Sequence, residues 1–247
     1  MTDGRTTINT LAPLQNVANF LTLTRRLQNR GAGLPGMGCF YGPSGFGKST
    51  AAIYGANSQS ACLVQCKSVW TQKKLCQEIL KELGLVPAKV IADMVDQIAE
   101  ALALEDVPLI IDEADVLVNK KMVEVVRDIY ESSLVPVILI GEELMPQKLR
   151  KWERLHGRIL SWVAAEPCDE QDFDLLVGIR CQGIELEPDL KARMAKASNG
   201  SARRIVENLE LAREIAATHG LARVTMRDWG KREFFTGATP DARRFVA

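Results

Sequence analysis

The chain has 247 residues, enough for one large domain or for one domain with a small lid. Hydrophobic residues make up 47% and charged residues 25%, a globular balance, and no apolar run approaches the ~20 residues of a membrane span. The formal net charge is zero, which excludes bulk attraction to nucleic acid and leaves only a local basic patch for that purpose.

The opening Met-Thr-Asp-Gly-Arg carries no signal-peptide pattern. Cys39, Cys62, Cys66, Cys76, Cys168 and Cys181 include no C-x-x-C pair, and most fall in apolar periodic segments. Reduced core thiols in a cytoplasmic protein, with no membrane partner, are the expectation.

Thr10 is predicted to cap a helix running to about Arg30, with Leu14, Val17, Ala18 and Leu21 on one face. A breaker, Gly31-Ala-Gly-Leu-Pro-Gly36, separates it from the core. Cys39-Phe40-Tyr41 reads as a short strand. Residues 42–50, Gly-Pro-Ser-Gly-Phe-Gly-Lys-Ser-Thr, then fit the phosphate-loop pattern G-x-x-x-x-G-K-[ST] at every specified position. Gly42 and Gly47 let successive N–H groups curl toward one anion. Lys48 supplies a cation for the outer phosphates of ATP or GTP and Ser49 a hydroxyl for Mg²⁺. The helix starting at Ser49-Thr50 would set the phosphates at its N-terminus, where unpaired amides favour anions. Gly42, Pro43, Ser44, Gly45, Phe46, Gly47, Lys48, Ser49 and Thr50 are the candidate nucleotide contacts.

Residues 61–66 read as a second strand. Thr71 is predicted to cap a helix whose buried stripe is Leu75, Cys76, Ile79, Leu80 and Leu83, with Trp70 stapled onto Leu75. An amphipathic helix over 88–104 comes next. Val107-Pro-Leu-Ile-Ile111 is a near-continuous apolar run, as in a parallel strand covered on both faces. A helix over 120–132, a strand over 135–140, a helical stretch over 142–156 and a fifth strand over 159–163 complete an alternation that implies a doubly wound parallel α/β sheet. After Pro167 the chain turns helical, over 169–182, 188–198 and 202–219. The expected organisation is an N-terminal helix and linker (1–36), a nucleotide-binding core (37–167), a small C-terminal helical lid (168–220) and a basic, aromatic tail (221–247).

Asp112-Glu113 ends the central strand, and in an open α/β sheet ligands lie beyond the carboxyl ends of the strands. Asp112 is the candidate Mg²⁺ ligand beside Ser49. Glu113 is the candidate base for the water that attacks the γ-phosphate, so hydrolysis is expected and not binding alone. The string Asp112-Glu113-Ala114-Asp115 has a helicase look, but such enzymes need two tandem nucleotide folds, which this length cannot supply beside an all-helical last third. Arg203 and Arg204 fall in the first turn of the helix after Ser201, where cations oppose the helix dipole; a nearby anion would remove the conflict, which makes Arg203 a candidate γ-phosphate contact. Arg154 and Arg158 precede the fifth strand.

These positions together resemble the AAA+ ATPases over about residues 11–220. Leu139-Ile-Gly-Glu-Glu143 and Trp152-Glu-Arg-Leu-His-Gly-Arg158 further resemble the DNA transposition ATPases of Mu-like phages and related elements (the MuB, TnsC and TniB types). The resemblance implies an ATPase that assembles as a ring or helical filament on double-stranded DNA with little sequence preference. It also implies delivery of that DNA to a transposase and release by hydrolysis, in a bacterial cytoplasm. It implies catalytic roles for Lys48 and Glu113, and for Arg158 or Arg154 reaching into a neighbouring subunit's site. DNA contacts are implied after the second strand, at Lys67, Thr71, Lys73 and Lys74, with Lys120 and Lys121 as a second patch. One departure is Glu142, where AAA+ proteins carry Asn, Thr or Gln as a polar sensor; a carboxylate there would repel phosphate. In the tail, aromatics beside arginines fit either a docking surface or packing on the lid. A secretion-type assembly ATPase and an initiator-like ATP switch on specific DNA are the competing readings.

Overall fold

The structure is a computed structural model and describes residues 12–238. The chain divides into two compact units, one of them Pro13–Glu166 and the other holding the chain from Pro167 onward.

In the first unit, helix α1 (Gln15–Gln28) is followed by strand β1 (Met37–Tyr41), helix α2 (Lys48–Gln59) and strand β2 (Cys62–Gln65). Helices α3 (Gln72–Glu82) and α4 (Ile91–Glu105) lead to β3 (Leu109–Asp112). Then come α5 (Asp115–Asn119), α6 (Val123–Ser133), β4 (Val137–Gly141), α7 (Met145–Leu149), α8 (Glu153–His156) and β5 (Ile159–Ala164). The strands form one parallel sheet in the order β2-β3-β4-β1-β5. Period-two alternation feeds a core on each face. Met37, Cys39, Leu109, Ile111, Val137 and Leu139 face α3, α4 and α6. Phe40, Ile110, Ile138 and Ile140 face α1 and α2, where Phe20 meets Phe40 edge to face. This is the expected doubly wound parallel α/β sheet.

Some boundaries differ from expectation. Thr10 lies outside the described residues, and α1 starts only at Gln15, after an extended Leu14 that makes no side-chain cap. Pro13 pushes Ala12, the residue before it, out of the helical region, so a helix does not run through this stretch. Residues 115–133 form two helices instead of one over 120–132, because Lys121 turns at φ 56 between them. The stretch 142–156 likewise breaks into α7 and α8. The helix over 88–104 begins at Ile91. Thr71 does cap α3, accepting from the Lys74 N–H at 3.3 Å, and both Trp70 and Leu75 are buried.

The second unit packs α9 (Glu170–Arg180), α10 (Pro188–Ser198) and α11 (Ala202–His219) together, with a short parallel pair, β6 (Glu185–Leu186) and β7 (Arg223–Val224), and α12 (Met226–Trp229). Residues 221–238 are part of it. Trp229 is fully buried and stacks on Phe234, and Asn208 of α11 exchanges hydrogen bonds with the backbone of Phe235. Phe245, also in the tail, lies outside the described residues. All six cysteines are free thiols, and all but the half-buried Cys168 are buried. No helix among the described residues is long and apolar enough to cross a membrane.

Candidate active site

Strand order dictates the site. β4 lies between β1 and β3, so its exit turn falls between the loop that leaves β1 and the acidic pair that ends β3. The turn is tied to both sides: Gly42 donates its N–H to the Gly141 carbonyl at 3.3 Å, and Ala114 donates to the Ile140 carbonyl at 2.8 Å.

The loop itself is built for an anion. Gly42, Gly45 and Gly47 have φ of 155, 85 and 78°, values open to glycine and rare for other residues. A Cβ on Gly42 would also stand 3.0 Å from the Ala165 Cβ. Gly47 precedes α2 without a side-chain cap, so the first-turn amides of Lys48, Ser49 and Thr50 are left for a ligand. Lys48 donates to the Gly42 and Pro43 carbonyls at 2.6 and 2.8 Å, and burial draws its ammonium below the ordinary value of 10.5 despite four carboxylates around it. Phe46 gives the loop backbone only: its side chain packs on the α1–α2 core, and its carbonyl accepts from Asn16 at 2.8 Å.

Asp112 is buried, and one of its oxygens accepts the N–H of Glu113 at 2.9 Å while Gln65 approaches the other at 3.4 Å. Ser49 on the first turn of α2 and Asp112 fit Mg²⁺, which takes few protein oxygens and keeps several waters. Glu113 occupies the left-handed region at φ 54, a conformation that costs a non-glycine residue about 1–3 kcal/mol and that recurs where strain serves function. Its carboxyl is held above 4.5, first by desolvation and then by the charge of Asp112, as suits a proton acceptor.

Within the first unit, Arg158 and Arg154 are not brought to the loop. The Arg158 carbonyl accepts from the Met37 N–H at 3.1 Å, which puts Arg158 at the amino end of β1, roughly 13 Å of strand away from the phosphate loop. It pairs there with Glu131 and shares a cleft of about 430 Å³ with Arg154. Arg203 stands exposed on the first turn of α11, in the second unit. Beyond β2, Lys67 is exposed, Thr71 is committed to its cap, Lys73 donates to the Lys89 carbonyl at 3.0 Å, and Lys74 pairs with Glu78 at 2.5 Å. Lys120 joins this group by donating to the Trp70 carbonyl at 2.9 Å. With Thr71, Lys73 and Ile91 it lines a groove of about 520 Å³.

Four residues escaped the sequence reading. Asn16, on the apolar face of α1, binds the backbone of both Phe46 and Glu166. Gln65 faces Asp112. Asp115 accepts the Glu142 N–H and the Lys148 ammonium, each at 2.6 Å, and Lys148 also reaches Glu142 at 3.3 Å. Glu142, the residue at odds with a sensor role, is therefore ion-paired.

With this geometry in view, the family comparison decides the class: the AAA domain model matches residues 32–149. That span is an AAA-type P-loop ATPase domain. No curated protein matches the chain in sequence. Among solved structures, the AAA domain and its helical unit resemble the Aeropyrum pernix Orc1 protein in complex with DNA, with a TM-score of 0.62 and 18% identity over 86% of this chain and 62% of that one. Cdc6p from Pyrobaculum aerophilum gives 0.63 and 15% over 91% and 67%. The RuvB Holliday junction branch migration motor of Thermotoga maritima gives 0.59 and 19% over 86% and 66%. At these identities the likeness is one of fold. The chain spans about two thirds of the length of these structures, and 62% of the Orc1 protein.

Proposed function

We propose that the chain is a DNA-binding ATPase of transposition that assembles on duplex DNA with little sequence preference and hands it to a transposase. The observation that carries the ATPase part is the stitched cleft in which the Gly42–Thr50 loop faces Asp112 and Glu113 across the Gly141 turn.

In this reading the amides of residues 44–49 hold the β- and γ-phosphates, and Lys48 leaves the Gly42 and Pro43 carbonyls to meet the outer phosphates. Ser49 and Asp112 would hold Mg²⁺, which would supply positive charge against the phosphates. Glu113 orients a water in line with the γ-phosphate and accepts its proton. Arg158, with Arg154 beside it, is too far from its own loop and acts on a neighbouring copy, while Arg203 reports the γ-phosphate to the helical unit. Lys67, Lys73 and Lys120, around the α3 N-terminus, suit phosphate contacts, which position a protein on DNA without reading bases. The likeness in fold to an Orc1 protein in complex with DNA and to the RuvB branch migration motor is consistent with an ATPase that acts on DNA. The Orc1 likeness also favours a second reading, an ATP switch on defined DNA.

The two separate by binding on random against defined duplexes, with and without ATP, followed by electron microscopy. ATP-dependent filaments on random duplex, lost in Lys48→Ala, are expected. Discrete complexes on one sequence would favour the switch, and no ATP-dependent binding to either would sink both.

A further inference from the structure

We propose that Lys148 is a positioning residue of the ATP reaction, pairing Asp115 and Glu142 together so that the Glu142 carboxylate does not oppose the γ-phosphate. The inference rests on the ATP-hydrolysing reading of the cleft.

The exit turn of β4 lies between the phosphate loop and the acidic pair, and it carries Glu142, whose side chain is 67% exposed. Asp112, Glu113, Asp115 and Glu142 all act on the single ammonium of Lys48. An incoming triphosphate adds to this negative charge. Lys148 is the second cation: its Nζ lies 2.6 Å from Asp115 Oδ1 and 3.3 Å from Glu142 Oε2. The other Asp115 oxygen accepts the Glu142 N–H at 2.6 Å, which closes a ring through the turn. Asp115 is only 8% exposed, so its charge needs this partner. Gly141 makes the approach possible, since a Cβ there would meet Asp115 Oδ2 at 2.5 Å. The ring thus fixes a turn hydrogen-bonded to the phosphate loop on one side and to Ala114, next to Glu113, on the other, and it pairs the Glu142 carboxylate that the turn carries.

The test titrates fluorescent ATP and ADP analogues with Mg²⁺ into the full chain. Lys148→Met keeps the stem and removes the charge. It should weaken ATP about tenfold and ADP no more than about twofold, because the lost screening acts on the γ-phosphate. Adding Glu142→Gln should bring ATP back to within about threefold of wild type, which a scaffold defect would not allow. Equal weakening of ATP and ADP, no weakening, or no recovery in the double variant would overturn the proposal. If Lys148→Met fails to fold, Glu142→Gln alone decides. A screened carboxylate should change ATP affinity by less than about threefold, whereas a large gain would show that Lys148 does not screen it. Lys48→Ala is the control: if it still binds both nucleotides like wild type, the nucleotide reading of the loop fails whatever Lys148 does.

Discussion

Arg158 directs both Nε and a terminal nitrogen at one oxygen of Glu131, at 2.9 and 2.7 Å. Both side chains are substantially exposed, so the pair is worth no more than about 1 kcal/mol and yields readily to a competing anion. Arg158→Ala should therefore leave the melting temperature and ATP affinity near wild type. If the arginine acts on a neighbouring copy, turnover of the DNA-assembled protein should fall by roughly 10³-fold. Mixing Arg158→Ala with Glu113→Gln should recover phosphate release, since one copy brings an intact cleft and the other an intact arginine. No recovery in the mixture would show that the arginine does not act on a neighbouring copy.

Glu113→Gln should keep ATP bound and stop its hydrolysis, leaving assemblies that persist on DNA. The same substitution has a pH signature. The folded-state carboxyl lies above 4.5, so the native chain holds this proton more tightly than the unfolded chain does. The native state consequently loses stability as pH rises from 4.5 through the folded value, and the loss is constant above it. Glu113→Gln abolishes the loss. Its melting temperature relative to wild type should climb over that window, and melts between about pH 4 and about pH 8 would show it. A difference that shrinks with pH would refute the assignment.

Asn16 spends its amide nitrogen on the Phe46 and Glu166 carbonyls, at 2.8 and 2.7 Å, and its oxygen on the Glu166 N–H at 2.9 Å. Asn16→Ala removes three hydrogen bonds to part-buried backbone groups, each worth about 0.5–1.5 kcal/mol, and it frees the phosphate loop at Phe46. A drop in melting temperature together with weaker ATP binding is expected by thermal melts and nucleotide titration. A drop in stability alone would reduce Asn16 to a purely structural part.

Gly141→Ala places a methyl 2.5 Å from Asp115 Oδ2 and 2.8 Å from Met145 Cγ. Overpacking of this kind costs about 1–3 kcal/mol, and here it also pries Asp115 from the Glu142 N–H. Turnover should fall more than ATP affinity if Glu113 is the base, because the turn is tied to Ala114 beside it. Steady-state kinetics at saturating ATP would separate the two.

Why these parts differ in legibility is physical. The 42–50 loop and the Asp112-Glu113 pair carry their chemistry in contiguous residues, so spacing alone exposes them. The five strands of the first unit read clearly because each is short, apolar and bounded by turns, whereas β6 and β7, two residues each with one charged, carry no such signal. Asn16 reaches across 150 positions to Glu166, and Asp115 across 33 to Lys148, and no local period records either bond. Asp115 was visible only as the last letter of a helicase-like string. The breaks at Lys121 and between α7 and α8 were hidden because both halves of each stretch suit a helix. Lys73 looked like a free surface cation, yet it holds the Lys89 carbonyl, while Thr71 forms the α3 cap expected of it and so commits the hydroxyl also expected at DNA.

The buried cysteines have a practical consequence. Burial pushes the thiols of Cys62, Cys66 and Cys168 up to about 12 and those of Cys76 and Cys181 up to about 11, with Cys39 higher still. Only the thiolate reacts with alkylating dyes, so the folded chain presents a silent background. A single cysteine introduced on an exposed helix face should take up a maleimide fluorophore alone, with no need to strip out the native six. The native thiols would then serve as a clock, since each one labelled marks an excursion in which that part of the chain came open.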